Sequence, residues 1–405
     1  MPVTTSSRMS RSYAEHPGFQ FHAPAMAVDA DSIEEFSAAY RQMADLGQAM
    51  KPRTFDALAE QANGLLSAIF GELRRQVKDR NEGLFLDELE AECHRLLREE
   101  SSWYRRKTCI RFLKLNRRDA RVNALGLQVD RFFFGSLAPQ AVMELQAIAA
   151  TEVSAFRSNA ALGKLRREDL STNVGAAVRK LRDTLDREFR DIGVLDAVGA
   201  YVGRRVRVGG LALELSVPQA TWWKNAIEGL VRPPKTLYAH LDETISCPKS
   251  IVYLSNVEPG NGATGCFPGA YEALELNPMQ EIVGRVVGIV GSRTDSPLHQ
   301  VYSKQYHQSM NSLEFRRQFM RLPEALRFNS HLGWDVAPGS EFEDGLASTE
   351  RLMTGPAGTF IAFDGARLLH RGGMVQHGER LALQVVFSDQ SRLTRAFKRV
   401  TRTKA

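Results

Sequence analysis

The stretch Leu237-Tyr-Ala-His-Leu-Asp242 decides how the rest of the chain is read. Residues i and i+2 of a β-strand project from one face, so a strand here places Tyr238, His240 and Asp242 on the same side. An imidazole and a carboxylate then converge on one point. With nine His and 47 Asp or Glu among 405 residues, about one His-x-Asp/Glu triplet is expected by chance. The pair alone therefore carries little, and its surroundings decide.

Downstream lies Gly358-Thr-Phe-Ile-Ala-Phe-Asp-Gly-Ala-Arg-Leu-Leu-His370-Arg-Gly-Gly373, which reads as a second strand followed by a histidine at a strand end. His240, Asp242 and His370 together form a two-His-one-carboxylate set. Such a set covers one face of an octahedral metal and leaves the opposite positions open, the arrangement that suits non-haem Fe(II). Two open positions accommodate a bidentate 2-oxo acid and the third O2. The run Arg380-Leu-Ala-Leu-Gln-Val-Val-Phe387 alternates strictly, placing Leu381, Leu383, Val385 and Phe387 on one face and Arg380, Ala382 and Gln384 on the other. A planar guanidinium on the ligand-facing side can hold a distal carboxylate through two parallel charge-assisted hydrogen bonds, which Lys matches less well. The co-substrate this implies is 2-oxoglutarate.

Between these segments lie Tyr253-Leu-Ser-Asn-Val-Glu-Pro-Gly-Asn261-Gly262 and Pro268-Gly269. In its His-x-Asp strand, its Asn-Gly turn leading to Pro-Gly, its Phe-Asp strand before a distal His and the Arg that follows, the chain resembles the phytanoyl-CoA dioxygenase-like family of Fe(II)/2-oxoglutarate oxygenases over about 195–390. The resemblance implies iron ligands at His240, Asp242 and His370 and the 2-oxoglutarate carboxylate on Arg380; for a second 2-oxoglutarate contact, Tyr253, inside the strand after the metal strand, is a weak candidate. Relatives that transfer halide carry Ala or Gly in place of Asp242, so the resemblance implies hydroxylation, or a desaturation or ring closure, with 2-oxoglutarate converted to succinate and carbon dioxide. The chain departs from the family at Ala270-Tyr271, where Ser-His is usual, and at Thr359, where an acidic residue is usual. Neither position is a ligand.

Composition agrees with a folded enzyme: 43% hydrophobic and 25% charged residues are ordinary globular usage. A net charge of +6 is small for this length and gives no argument for nucleic acid. The expected partner is a small-molecule substrate, acidic or carrier-bound, with oligomeric state left open. Cys93, Cys109, Cys247 and Cys266 show no Cys-x-x-Cys spacing, which argues against a disulfide framework or zinc ribbon. No apolar h-region opens the chain and no run of 18 apolar residues occurs, so the simplest expectation is a soluble cytoplasmic protein with no membrane segment.

Along the chain, 1–30 reads as a loose arm and 31–125 as a helical region. Thr54 is the expected cap of a helix whose stripe is Phe55, Leu58, Ala62, Leu65, Ile69 and Leu73. A second stripe runs Leu86, Leu89, Cys93, Leu96. Between Arg95 and Arg121 ten Lys or Arg meet three Asp or Glu. This reads first as a solvated helix face, and second as a docking surface with Trp103, Tyr104 and Phe112 as interleaved aromatics. Further helices are expected near 138–158, with Pro139 in the first turn, and near 173–200. From about 205 the texture becomes short strands broken by Gly and Pro, so the fold class is α+β: a double-stranded β-helix, or jelly roll, within 126–405. An insertion at about 273–355 is the expected substrate lid. Its His299, His307 and His331 read as surface residues. His377 is the competitor of His370 but stands too near Arg380 to fit the pattern. Trp222 and Trp223 read as core residues first and pocket lining second.

Two other classes compete. A zinc hydrolase could use the same triad, yet it has no need of Arg380, and no His-Glu-x-x-His is present. A non-catalytic jelly-roll binding protein would not be expected to keep all three ligands.

Overall fold

The computed structural model describes residues 25–49, 52–109, 118–162, 170–218, 235, 239–242, 248–274, 276–289, 318–327 and 341–389. Helices α1 (Ala30–Ala49), α2 (Pro52–Gln76) and α3 (Arg80–Cys109) open the described chain. The stripe expected on α2 is the face it buries: Phe55, Leu58, Ala62, Ile69 and Leu73 are in the core and Leu65 is half-buried. The helix starts at Pro52, ahead of the expected cap, and Thr54 is an exposed residue within it. Proline's fixed φ and missing N–H fit the first position of a helix, so the helix can begin at Pro52. On α3 the stripe Leu86, Leu89, Cys93 and Leu96 is fully buried.

Helix α4 (Arg118–Val129) leads to strand β1 (Phe132–Ser136), then to α5 (Pro139–Ala161), with Pro139 at its first position. After β2 (Leu170–Thr172), the helical stretch expected near 173–200 is two helices, α6 (Ala176–Asp191) and α7 (Val194–Val202). Gly193 separates them at φ 82°, a left-handed conformation that glycine adopts without steric cost. Strand β3 (Val206–Ser216) follows. The remaining elements are β4 (Lys249–Tyr253), β5 (Thr264–Phe267), α8 (Ala270–Ala273), α9 (Pro278–Ile289), a 3₁₀ turn at Glu324–Leu326, α10 (Glu341–Ser348), β6 (Arg351–Met353), β7 (Thr359–Phe363), β8 (Leu369–Arg371) and β9 (Arg380–Asp389).

The strands form two antiparallel sheets, one ordered β1-β7-β4-β9-β3-β2 and the other β6-β5-β8. Alternation along β9 sorts its side chains as the sequence requires. Leu383, Val385 and Phe387 join Leu213 of β3 and Phe189 of α6 in the core between the larger sheet and helices α5–α7. Phe189 packs on Phe360 and Phe387 at ring distances of 5.2 and 5.9 Å. The opposite face of the larger sheet supplies Tyr253, Ile361, Phe363 and Ala382 to a second core, which Cys266 and Met353 of the smaller sheet complete. The two sheets therefore face one another, and Arg380 projects from the same side of β9 as Ala382.

A third core joins α1–α3 to α9 and the 3₁₀ turn, through Phe36, Phe70 and Leu89 on one side and Ile282, Val286 and Leu322 on the other. Within the segment expected as a lid, α9 and 318–327 are thus packed into the N-terminal helices, whereas Leu346 of α10 packs with Ala239, Leu241 and Leu369 in a separate core. β6 lies inside the range expected for the insertion and pairs with β5, so the sheet resumes by Arg351. Within the basic run, Trp103 and Tyr104 are buried, Arg95 pairs with Glu92 and Glu99, and Arg105 pairs with Asp56. The two aromatics belong to the core, which removes them from the docking-surface alternative. Phe112 lies outside the described residues. Among the described residues, no helix is long and apolar enough to cross a membrane.

Candidate metal centre

The sequence expects His240 and Asp242 on a regular strand; among the described residues His240 instead forms an isolated bridge to His370. Each residue's backbone N–H donates to the other's carbonyl, at 2.9 Å for His240 and 3.1 Å for His370. Asp242 is tied separately, its N–H donating to the Gly365 carbonyl at 2.7 Å. Two neighbouring segments thus fix the three side chains without a long ladder. Gly365 permits the approach because a Cβ there would run into the Asp242 carboxylate.

One ligand atom from each of His240, Asp242 and His370 lies within 4.8 Å of the others, and this is the group of His, Cys, Asp and Glu among the described residues that could hold a metal. The Nε2 atoms of His370 and His240 stand 3.7 and 3.9 Å from the same oxygen, Asp242 Oδ1. The imidazole centroids are 4.3 Å apart, and Phe363 meets His370 edge-on at 4.8 Å. His370 Nδ1 is 2.9 Å from the Leu368 carbonyl. A carbonyl only accepts, so Nδ1 carries the hydrogen and Nε2 presents its lone pair to the centre. Burial, followed by the neighbouring His240, pushes the His370 pKa down to about 3, so this imidazole is neutral near pH 7, the form that binds metal.

Burial alone would raise the pKa of Asp242, but Lys249, His370 and His240 outweigh it and hold the carboxyl at about 2. The cation hydrogen-bonded to this carboxylate is Lys249, whose Nζ donates to Oδ1 at 2.5 Å. The other oxygen, Oδ2, is buried and has no hydrogen-bond partner among the described residues. A buried carboxylate oxygen left in that state is costly.

Arg380 is buried at the start of β9. Its Nη1 donates to the Gly262 carbonyl at 2.8 Å and its Nη2 to Ser216 Oγ at 3.3 Å, while Glu214 Oε2 lies 3.9 Å away. Its Nε has no partner among the described residues. Gly262, at φ 99°, lets the turn close over the arginine stem, where a Cβ would press on the Arg380 methylenes.

Tyr253 is fully buried and its hydroxyl donates to the Met353 carbonyl at 3.0 Å while accepting from Thr264 N–H at 2.9 Å. Those bonds tie the two sheets together. Gln384 sits farther along β9 and is exposed. His377 is exposed near the turn at Gly260, and His370 takes the triad position. Tyr238, Trp222, Trp223, Cys247, His299, His307 and His331 lie outside the described residues. Lys249 and Gly365 are site residues that the sequence reading missed. The available signal for Lys249 was its place on the same face of β4 as Tyr253, an unexpected position for a cation on a strand that packs on both sides.

Behind the metal-side loop lies a second buried charged cluster. Arg285 of α9 donates to Glu100 of α3 and to Glu281, and to the Ala366 carbonyl at 3.1 Å. Arg367 donates to Asp364 at 3.0 Å and lies 4.6 Å over the Trp103 ring. Tyr201 also donates to Asp364. Residues 364–368 therefore touch both the charged cluster and the triad.

No known family model matches the sequence, and no curated protein matches it. Among solved structures, the chain is similar to the non-heme alpha ketoglutarate dependent epimerase SnoN from nogalamycin biosynthesis, at 15% identity and TM-score 0.36, over 67% of this chain and 80% of that one. EctD from S. alaskensis with bound Fe gives 15% identity and TM-score 0.38 over 69% and 79% of the respective chains. HygX from Streptomyces hygroscopicus with nickel and 2-oxoglutarate bound gives 11% and 0.36 over 67% and 87%. At these scores the likeness supplies no argument about this chain, and the functional reading rests on its own geometry.

Proposed function

We propose that the chain is an Fe(II)/2-oxoglutarate-dependent oxygenase whose two facing sheets close as a double-stranded β-helix, with His240, Asp242 and His370 as iron ligands and Arg380 as the 2-oxoglutarate anchor. The observation that carries this reading is the convergence of two imidazole Nε2 atoms on one oxygen of a buried carboxylate, Asp242 Oδ1. Two imidazole nitrogens and one carboxylate form the donor set that non-haem Fe(II) takes with open positions remaining. A bound ferrous ion would supply dioxygen activation, coupling conversion of 2-oxoglutarate and O2 to succinate and carbon dioxide with oxidation of a substrate C–H.

The chain's residues do the rest. Arg380, held by Gly262 and Ser216, presents a buried guanidinium to the distal carboxylate of 2-oxoglutarate. Leu368 orients the His370 ring through its Nδ1 hydrogen. Phe363 and the neighbouring apolar core restrict water on one side of the triad. Hydroxylation of a small metabolite or biosynthetic intermediate is the reaction most consistent with a carboxylate at position 242, and the pocket contributions of Tyr238, Trp222 and Gln384 remain part of this proposal.

Adding Fe(II) and 2-oxoglutarate together to the protein without oxygen tests the reading. A metal-to-ligand charge-transfer absorbance that requires both additions is expected, and Asp242→Ala removes it. If tight zinc binding and hydrolytic turnover are found instead, without the band, the assignment is wrong and a zinc hydrolase is favoured.

A further inference from the structure

The proposed oxygenase chemistry has no assigned use for Lys249, a cation that hydrogen-bonds to a triad member. Its ammonium donates to Asp242 Oδ1, the oxygen that both imidazole Nε2 atoms face. The Asp242 side chain is 6% exposed, whereas that of Lys249 is 30% exposed. One end of the pair is fixed in the protein and the other has a route to solvent.

We propose that Lys249 is an internal stand-in for the metal: it neutralises Asp242 in the metal-free chain and must be displaced, or pushed aside, when a divalent cation binds. This inference rests on the metal-centre reading above. A buried carboxylate needs a countercharge, and an ammonium on Oδ1 supplies it while keeping that oxygen aimed at the point where the imidazoles converge. A dication placed between Oδ1 and the two Nε2 atoms competes for the same lone pairs and repels the ammonium at short range, where protein screening is weak. Lysine suits the role because its flexible stem lets the charge withdraw toward water while the strand stays in place. Lys249 therefore orders the ligand set ahead of metal binding and lowers its affinity for metal.

The consequence has an unusual sign, since removing a residue that bonds a ligand should strengthen metal binding. Titration of the full chain with Co(II) alone, followed by calorimetry at fixed pH, measures this directly. Lys249→Met is expected to bind Co(II) roughly tenfold more tightly than the native chain, the scale of one charge-assisted hydrogen bond released. Lys249→Arg, which keeps the charge, is expected to show no such gain. Lys249→Gln serves if the Met variant does not fold, with the same direction of change. Equal or weaker Co(II) binding by the neutral variants overturns the inference, and shows that Lys249 only orients Asp242. Asp242→Ala separates the two readings. If the native chain binds Co(II) and Asp242→Ala does not, the metal centre stands whatever Lys249 does. If neither the native chain nor the neutral Lys249 variants bind Co(II), the metal centre fails and this inference falls with it.

Discussion

Two buried charged clusters share the loop 364–368, and they are built differently. In the helical cluster every carboxylate meets a guanidinium from the chain: Glu100 and Glu281 face Arg285, and Asp364 faces Arg367. In the triad, the carboxylate meets two imidazoles and a partly exposed lysine; one oxygen of Glu100 and one of Asp242 alike have no partner among the described residues, so the clusters differ in their countercharges. The first cluster supplies its own countercharges and ties three segments distant in sequence. In the second, the cation on the carboxylate is a lysine whose side chain is partly exposed. Buried ionisable groups therefore mean different things according to whether their partners are fixed, and on the proposed reading the contrast separates a structural network from a metal site.

The comparison can be broken most forcefully at Arg285. Arg285→Met leaves Glu100 and Glu281 buried without their cation and is expected to destabilise the fold by about 3–5 kcal/mol in denaturant titrations; a loss below about 1 kcal/mol would mean the network is not a structural tie. On the other side of the loop, Gly365→Ala is expected to weaken Co(II) binding at least about a hundredfold, because the added methyl displaces Asp242. Unchanged affinity there would show that the close approach does not position the ligand. Arg380→Lys should sharpen the distinction within the site. It is expected to weaken 2-oxoglutarate roughly tenfold, by loss of bidentate geometry, while leaving Co(II) affinity near native.

The smallest effect concerns pH. Burial raises the Glu100 pKa to about 7, against the pull of Arg285. A carboxyl with a raised folded value binds its proton more tightly in the folded state, so its contribution to stability is fully present below about pH 4.5 and lost as pH rises through about 7. Glu100→Gln removes this dependence. The variant's stability relative to the native chain is expected to improve as pH rises across that window, and unfolding curves at several pH values check it. A difference that shrinks with rising pH would reverse the assigned direction.

Much of the site was legible because its signals are local. His240 and Asp242 are two positions apart, His370 and Arg380 ten, and the alternation of Leu383, Val385 and Phe387 fixes which face of β9 meets the helices. The stripes on α2 and α3 were equally readable, since helical periodicity records which face is buried. Other features were not. Helix α2 starts at Pro52, ahead of the cap expected at Thr54, and among the described residues His240 forms an isolated bridge where a strand was expected. α9 joined the N-terminal core although its sequence says only that it is amphipathic, not which surface it will meet.

The sequence by itself determined the chemistry on offer: which donors exist, their order, and which faces of the helices and of β9 are apolar, because residue type and short-range periodicity are written in the chain. Only the tertiary structure decided that Lys249 stands on the metal-facing oxygen, that Gly365 makes room for Asp242, and that Glu100 and Arg285 meet across 185 positions behind the same loop. Those relations depend on packing between segments far apart in the chain, and no local pattern encodes the distance between two side chains that meet only after folding.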